Sequence, residues 1–308
     1  MTFETAYCQD LCANVSAYKA RREFFAQGDD NLRFTFCCPD EKCGVEFTAV
    51  NIYTVAKTKH RPHFRTWPNK KHSQECDIVK KDTNVIDADS GIGRGHGIKS
   101  SAYPSKLLLV RPPKEATSNA SKYSEFDDEF DVEVRQKNYG HSNNKKGAPH
   151  TTSYLENIVD SYEKMTNTEL TNCCIELNGE NRTYAKTFKK IAYFEDGKNF
   201  IFYGDIEPIK EYGKNYAITF KDKAWFNKKA YRVTIYITEE LISKYRLRRL
   251  FRFSIGTLAK LGKEFKSATC YFAGAYPELK TVNHRSGSFD VLSVDVTNLD
   301  HFVVKFTE

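Results

Sequence analysis

Apolar and polar residues follow two different patterns within the first 80 residues. At the start, apolar positions recur at the spacing of one helix face, which predicts an N-terminal helix. After the polar run QGDDN, the segments RFTFC and VEFTAVNIYTV alternate with a period of two and predict two strands joined by a cysteine-rich turn. We therefore expect residues 1–80 to form a small α+β head. The residues of the helical face are Tyr7, Cys8, Leu11, Cys12, Val15 and Tyr18.

The pattern disappears between residues 81 and 150, where Gly, Pro, Ser, Asn and charged residues dominate. Only two short apolar runs, KLLLV and FDVEV, interrupt this composition. A polar stretch of this length far exceeds the usual connection of about 4 to 6 residues. We predict an extended arm or linker, in which the two apolar runs form short strands or docking points.

Periodicity returns in residues 151–308. The segment TTSYLENIVDSYEKM has an apolar stripe at helical spacing, and Ser153 and Glu156 have the spacing of a capping box. Alternating runs then predict three strands, a basic helix within TEELISKYRLRRLFRF, and further strands up to HFVVKF at the end. This order is compatible with an OB-like barrel. The predicted fold class is α+β, with a mainly-β C-terminal domain that also contains helices.

Net charge, apolar content and cysteine content limit the partners and the cellular location that we expect for this protein. The chain of 308 residues has a net charge of +7, which permits nucleic acid or an acidic protein as a partner. No run approaches the roughly 20 apolar residues that span a bilayer, so we expect no membrane partner. The N-terminus lacks the pattern of a signal peptide, and nine cysteines then indicate reduced thiols or metal ligands. We predict a cytoplasmic protein, located in the host cytoplasm if the chain is phage-encoded.

Two polar patches predict a metal site. Zinc commonly takes two close pairs of Cys and His ligands from different parts of a chain. CCPDEKC supplies Cys38 and Cys43, and HSQEC supplies His72 and Cys76. Four protein ligands leave no position open for water, so the predicted zinc ion is structural.

Alternatives for this site remain open. Cys37 can replace Cys38, and His63 or His60 can replace His72. The competing interpretation is a set of ordinary core cysteines beside a solvated basic loop. The strongly polar surroundings of His72 and Cys76 favour the metal site.

The order Cys-Pro, Cys-Gly, PHF and His-x3-Cys over residues 34–78 resembles the zinc-binding segment at the head of CoiA-like competence proteins. That resemblance implies a nuclease-like domain further along the chain. A magnesium-dependent nuclease needs acids and a lysine on adjoining strands. The candidate segment DDEFDVEVRQK has a different spacing, and a solvated acidic run is the preferred interpretation. Its candidate residues are Asp131, Glu133, Arg135 and Lys137.

No other segment has a catalytic signature. GIGRGHG, residues 91–97, lacks the spacing of a phosphate-binding loop and indicates a hinge. Cys8 and Cys12 are one helical turn apart and belong to an apolar stripe, which favours a core role. We therefore predict a protein that is not an enzyme.

Two basic clusters are candidate binding surfaces. Arginine matches phosphate geometry and aromatic rings stack on bases, so each cluster fits nucleic acid or an acidic protein. The alternative for the second cluster is a solvated helix with Leu247, Leu250 and Phe253 facing the core. The clusters consist of Arg65 and Trp67 in the head, and of Lys244, Arg246, Arg248, Arg249 and Arg252 in the basic helix.

The layout of a small head, an extended arm and a larger C-terminal body resembles phage-encoded inhibitors of bacterial immunity of the Gabija anti-defence type. This resemblance implies a homo-oligomer that surrounds a DNA-cutting bacterial defence complex and keeps DNA away from it. We therefore predict a non-enzymatic interaction protein that wraps and inhibits a nucleic-acid-processing complex. The alternatives are a nucleic-acid-binding protein with a zinc ribbon and an OB-like barrel, or a CoiA-like nuclease.

Overall fold

The computed structural model describes residues 2–27, 32–54, 61–67, 69–76, 103–110, 151–194, 197–261, 267–284 and 287–307. The chain divides into two compact units, residues 1–98 and 99–308. Most of the predicted arm, including FDVEV, lies outside the described residues. The arm therefore stays a prediction, apart from residues 103–110.

The described residues of the N-terminal unit form a six-stranded antiparallel sheet and one helix. The strand order is β1-β6-β5-β4-β2-β3. Aromatic and small residues of the sheet and helix form one core, which includes Phe36, Phe47 and Phe64. The elements are β1 (Thr2–Phe3), β2 (Thr5–Cys8), β3 (Ala13–Ser16), α1 (Ala17–Ala26), β4 (Phe36–Cys37), β5 (Glu46–Val50) and β6 (His63–Thr66).

The predicted helix over residues 7–18 is wrong, because β2 and β3 form a hairpin there. Cys12 has a positive φ of 48° in the turn, which interrupts any helix at this position. The helix begins only at Ala17, where the Ser16 hydroxyl caps it by accepting from the Lys19 amide at 3.1 Å. The apolar spacing that predicted a helix thus spans two strands and the turn between them.

The predicted strands that flank the cysteine-rich turn are confirmed. β4 pairs antiparallel with β5, with Phe36 opposite Phe47. Phe64 on β6 is fully buried, whereas the next residue, Arg65, is exposed. The alternation along β6 therefore separates the core from the basic surface.

The C-terminal unit is mainly β. Each predicted strand run in residues 199–306 contains at least one observed strand. The strands are β7 (Lys106–Leu107), β8 (Thr151–Thr152), β9 (Cys174–Leu177), β10 (Glu180–Thr183), β11 (Phe188–Lys190), β12 (Ile201–Asp205), β13 (Lys210–Tyr212), β14 (Asn215–Thr219), β15 (Ala224–Phe226), β16 (Lys229–Tyr231), β17 (Val233–Ile237), β18 (Ser267–Ala273), β19 (Pro277–His284), β20 (Gly287–Val294) and β21 (Phe302–Thr307).

Five helices accompany these strands in the described part of the unit, together with two 3-10 turns. The basic run predicted as one helix forms two consecutive helices. The bounds are α2 (Leu155–Tyr162), α3 (Asn167–Asn172), α4 (Tyr184–Thr187), α5 (Glu239–Lys244) and α6 (Arg248–Leu261), with the 3-10 turns at Ile191–Tyr193 and Leu299–His301.

The strands do not form the predicted OB-like barrel, because no closed barrel exists among the described residues. They form separate sheets with the orders β10-β9-β7-β8, β11-β12-β18-β21 and β13-β14-β17-β20-β19, and β15 pairs with β16 as a hairpin. The run KLLLV, which was predicted to form a short strand or a docking point, contributes the strand β7. β7 pairs in parallel with both β8 and β9, and so occupies an inner position of its sheet.

The start of α2 differs from the prediction, although its apolar stripe is confirmed by the buried Leu155, Ile158 and Val159. No side chain caps this helix, so Ser153 and Glu156 do not form a capping box. The capping box is at α3, where Thr166 and Glu169 exchange hydrogen bonds with each other's backbone amides. The sequence TNTE contains that signal.

Two glycine substitutions are expected to change stability in opposite directions. A Cβ on Gly204 would lie 2.9 Å from Ile191 Cγ2 and 3.0 Å from Phe220 Cδ1. Gly204→Ala should therefore lower the free energy of unfolding by about 1–3 kcal/mol, the typical effect of overpacking. Gly256 lies within α6, and its nearest neighbour would be 3.7 Å away. Gly256→Ala should raise stability by about 0.5–1 kcal/mol.

Urea denaturation of both variants measures this difference, with Gly256→Ala as the matched control for the added methyl group. Equal stability of the two variants would contradict the close packing of β12 against Ile191 and Phe220.

Candidate metal centre

The turn between β4 and β5 positions the first two candidate ligands. The Asp40 carbonyl accepts from the amides of Cys43, at 3.0 Å, and Gly44, at 3.4 Å. Gly44 has a φ of 59°, which favours glycine and closes the turn. The Cys38 amide donates to the Val45 carbonyl at 2.8 Å. Cys38 and Cys43 are therefore held at the two sides of one tight loop.

The second pair lies after β6. The Cys76 amide donates to the Ser73 carbonyl at 3.0 Å, so residues 73–76 also form a turn. The Ser73 amide lies 3.4 Å from Cys43 Sγ and donates to it. Amide donation of this kind is typical around metal-bound thiolates, because it stabilises the charge on sulfur.

The four predicted side chains meet. One ligand atom from each of Cys38, Cys43, His72 and Cys76 lies within 4.8 Å of the others. The two sulfurs of Cys38 and Cys76 are 3.8 Å apart. His72 Nδ1 lies 3.3 Å from Cys43 Sγ and 3.4 Å from Cys76 Sγ. These four residues can bind a metal ion.

The three separations of 3.8, 3.3 and 3.4 Å match the edges of a metal-centred tetrahedron. With metal–sulfur bonds of about 2.3 Å and metal–nitrogen bonds of about 2.0 Å, tetrahedral geometry gives sulfur–sulfur edges of about 3.8 Å and sulfur–nitrogen edges of about 3.5 Å. The Cys38–Cys76 separation equals the first value, and the two His72 separations are within about 0.2 Å of the second. Direct disulfide formation needs a much shorter distance of about 2.05 Å.

Burial and hydrogen bonding act differently on the two thiols of the turn. Burial raises the pKa of Cys38 well above its usual value. Burial also raises the pKa of Cys43, but hydrogen bonds from the amides of Val45 and Ser73 and from the thiols of Cys76 and Cys38 together outweigh it and hold this pKa below its ordinary value. Hydrogen bonding therefore favours the thiolate at Cys43, whereas burial disfavours it at Cys38.

The His72 ring is oriented by aromatic packing. Its centroid lies 5.1 Å from that of Phe3 and 5.7 Å from that of Phe47. Nδ1 faces the sulfurs, whereas Nε2 is buried without a hydrogen-bond partner. Burial lowers the pKa of His72, which favours the neutral ring that binds metals. Nδ1 is thus the nitrogen available as a ligand.

The alternative ligands are not part of this group. Cys37 is buried on β4 and lies outside the cluster. His63 Nδ1 lies 2.9 Å from the Arg61 carbonyl oxygen and hydrogen-bonds to it. His60 lies outside the described residues. Cys8 is fully buried, as a core role required, whereas Cys12 is exposed in its turn.

The first predicted binding cluster is solvent-exposed. Arg65 is exposed on β6, and Trp67 retains 55% of its surface. Lys70, five residues after Arg65 in the sequence, pairs with Glu46. Part of the positive charge near the candidate metal centre is therefore neutralised.

The second predicted cluster is also partly neutralised. Lys244 pairs with Glu240 at 2.6 Å, and Arg252 pairs with Glu239 at the same distance. Both glutamates belong to the first turn of α5, directly before the basic run. Arg248 and Arg249 are exposed, and Arg246 is half-buried. The interpretation in which Leu247, Leu250 and Phe253 face the core is only partly correct. Leu247, directly before α6, is buried and Leu250 is half-buried, but Phe253 is 55% exposed.

The nuclease candidates Asp131, Glu133, Arg135 and Lys137, and the glycine-rich residues 91–97, lie outside the described residues. None of the helices in the described part of the chain has the length and apolarity that a membrane crossing requires.

Sequence reasoning also missed one exposed aromatic site. Trp225, on the β15–β16 hairpin, retains 65% of its surface and has lysines on both sides in sequence. The segment KDKAWFNKK contains the signal, since a two-residue polar turn between short alternating runs is typical of a hairpin.

Comparison of the chain with models of protein families, with curated proteins and with solved structures found no match.

Proposed function

We propose that Cys38, Cys43, His72 and Cys76 bind a structural Zn²⁺ ion. Three sulfurs and one imidazole nitrogen are ligands that zinc prefers, and the Cys38–Cys76, His72–Cys43 and His72–Cys76 separations fit its tetrahedral bonds. Four protein ligands fill the coordination sphere, so no position remains for a catalytic water. Such an ion stabilises the fold of the N-terminal unit.

We further propose that the protein is a non-enzymatic interaction protein that binds and inhibits a bacterial nucleic-acid-processing complex. The closed ligand set is the observation that carries this proposal, because it favours a metal that shapes a recognition unit over one that reacts. The Gabija-type layout of the sequence adds a candidate target, the DNA-cutting Gabija complex. In this proposal the chain assembles as an oligomer around the complex and keeps DNA away.

The direct test mixes the zinc-loaded protein with the purified Gabija complex and its DNA substrate. Light scattering after size exclusion should show one large assembly, and DNA cleavage should fall as the protein is titrated. Cys76→Ser should lose both effects, and Cys12→Ser should retain them. Unchanged cleavage and separate elution would contradict this target.

A nucleic-acid-binding function is the second candidate, because Arg248 and Arg249 are exposed at the start of α6. The variant Arg248→Glu/Arg249→Glu should then weaken affinity for labelled DNA at least tenfold at low salt. Unchanged affinity would rule out this helix as the binding surface.

The CoiA-like nuclease alternative predicts magnesium-dependent cutting of DNA that Asp131→Asn and Glu133→Gln abolish. Gel analysis of plasmid DNA would detect this cutting.

A further inference from the structure

The β15–β16 hairpin is an element with two distinct faces. Its turn consists of Asn227 and Lys228, both with positive φ, of 49° and 63°. This is the conformation that two-residue hairpins with the normal strand twist require. The rigid turn fixes which side chains point inward and which point outward. We call residues 221–231 the tryptophan hairpin.

The inward face anchors the hairpin in the C-terminal core. Ala224 is fully buried opposite Tyr231, which is 9% exposed. Phe226 packs partly buried against the same core. These contacts leave the hairpin attached through one face only.

The outward face presents an uncovered indole. Trp225 pairs across the hairpin with Ala230, whose methyl group is too small to shield the ring. Trp225 is accordingly 65% exposed. A large aromatic side chain held by a strand and left open to solvent has the geometry of a stacking platform.

A second exposed ring lies next to this hairpin. The 3-10 turn Ile191–Tyr193 packs against β15, and the rings of Phe194 and Phe226 stack with centroids 6.0 Å apart. Phe194 and Phe226 thereby fix the segment, while the adjacent Tyr193 remains 72% exposed. Tyr193 and Trp225 are thus each followed in the sequence by a phenylalanine that packs against the protein and holds the segment in place.

The charge of the tryptophan hairpin is positive. Between residues 221 and 229 there are four lysines and one acid, Asp222. All four lysines are exposed, and none forms an ion pair with a described residue, in contrast to Lys244 and Arg252. Lys229, however, pairs with Phe226 on the inward face, and its ammonium lies 5.2 Å from the centroid of the Tyr231 ring. The four lysines are Lys221, Lys223, Lys228 and Lys229.

We propose that the tryptophan hairpin binds single-stranded nucleic acid. An unpaired base stacks on Trp225, a neighbouring base on Tyr193, and Lys221, Lys223 and Lys228 contact the phosphates. Unpaired bases are required because a duplex does not expose a base face to the indole. The positive charge of the lysines favours a polyanion as the ligand. The exposed rings of Trp225 and Tyr193 favour a polyanion that carries aromatic bases. This surface belongs to the C-terminal unit and does not depend on the proposed inhibitory function.

Fluorescence provides the first test, because the chain contains only two tryptophans. In the variant Trp67→Phe, emission comes from Trp225 alone. Titration with 20-nucleotide oligo-dT, and in parallel with oligo-rU, should quench this emission through base stacking. The two oligonucleotides distinguish DNA from RNA, and a 20-base-pair duplex should quench much less.

Anisotropy of labelled oligo-dT provides the second test. Trp225→Ala should weaken binding about tenfold, within the range reported for loss of one stacked base. Lys223→Gln/Lys228→Gln should lower the slope of log affinity against log salt by about 1.4, since each phosphate contact contributes about 0.7 on single strands.

The β13–β14 hairpin supplies matched controls, since Tyr212 is 58% exposed and Lys210 and Lys214 are exposed beside it. Tyr212→Ala and Lys210→Gln/Lys214→Gln should leave affinity and salt slope unchanged. Circular dichroism checks that every variant is folded.

Three results would overturn the proposal. The first is absence of oligo-dT and oligo-rU binding at low salt. The second is binding that Trp225→Ala and the double lysine variant do not alter. The third is quenching of Trp225 by polyglutamate to the same extent as by the oligonucleotides, which would indicate an acidic protein partner instead.

Discussion

Replacement of Cys76 by serine is expected to release the metal and unfold the N-terminal unit while the C-terminal unit remains folded. Cys76 is fully buried, and its sulfur is close to both Cys38 Sγ and His72 Nδ1. Structural zinc contributes about 10–16 kcal/mol in zinc-finger peptides, as much as or more than the whole stability of a typical domain, about 5–15 kcal/mol. Loss of one of four ligands should therefore unfold the unit.

Zinc content by mass spectrometry and limited proteolysis measure this outcome. The wild-type protein should contain one zinc ion per chain, and chelator treatment should reproduce the effect of Cys76→Ser. Cys37→Ser is the matched control, because Cys37 is a buried neighbour outside the cluster and should retain the metal. A metal-free Cys76→Ser protein whose N-terminal unit still resists protease would show that the ion is not structural.

Replacement of Asp160 by asparagine is expected to have the second largest effect. The Lys305 ammonium lies 2.6 Å from Asp160 and 3.7 Å from Glu156. The side chains of Asp160 and Lys305 are only 12% and 18% exposed. Breaking a buried pair typically costs about 3–5 kcal/mol, and since Glu156 remains nearby we expect about 3 kcal/mol.

Urea denaturation followed by Trp225 fluorescence in the Trp67→Phe background measures the C-terminal unit. The double variant Asp160→Asn/Lys305→Met removes both charges and should recover most of the lost stability. A loss below 1 kcal/mol for Asp160→Asn would show that solvent already screens the pair.

The pH dependence of this pair follows from Lys305. Burial lowers the pKa of Lys305, but Asp160 and Glu156 outweigh burial and raise it above the ordinary lysine value. The charged form is therefore favoured in the folded state. Its contribution is fully present below the unfolded pKa of about 10.4 and is lost only as the pH rises through the raised pKa. The effect of Asp160→Asn should consequently be constant between about pH 7 and 9.

The ligand group was predictable from the sequence because metal ligands have a distinctive chemistry. Cysteine and histidine clustered with charged residues, at Cys38–Cys43 and His72–Cys76, are unlike an apolar core. Their meeting depends on β4, β5 and β6 pairing side by side, and two of these three strands were indicated by alternation. The strand β6, its pairing with β5, and the orientation of His72 against Phe3 and Phe47 required the structure.

The pairing of strands in the C-terminal unit was not predictable in the same way. Alternation shows that β12, β14, β17 and β18 are strands, but it does not select their neighbours. The structure places β12 with β18 and β14 with β17, in separate sheets. The hairpin of β2 and β3 was missed because its apolar residues also fit a helical spacing.

The charge of the basic helix was overestimated for a local reason. Lys244 follows Glu240 by four residues, a spacing at which helical side chains meet, so this pair was visible in the sequence. The Arg252–Glu239 pair was not visible in the sequence, because it depends on how the chain turns between α5 and α6.

The inner position of β7 has a consequence for engineering the chain. Lys106 and Leu107 pair with Thr151 and Thr152, so the two ends of the intervening segment are held side by side. The entropy cost of closing such a segment grows only with the logarithm of its length, by about 0.6 kcal/mol for each doubling. A reporter domain inserted between residues 111 and 150 should therefore be tolerated. A chain that begins at residue 151, in contrast, would lack β7, an inner strand of the sheet.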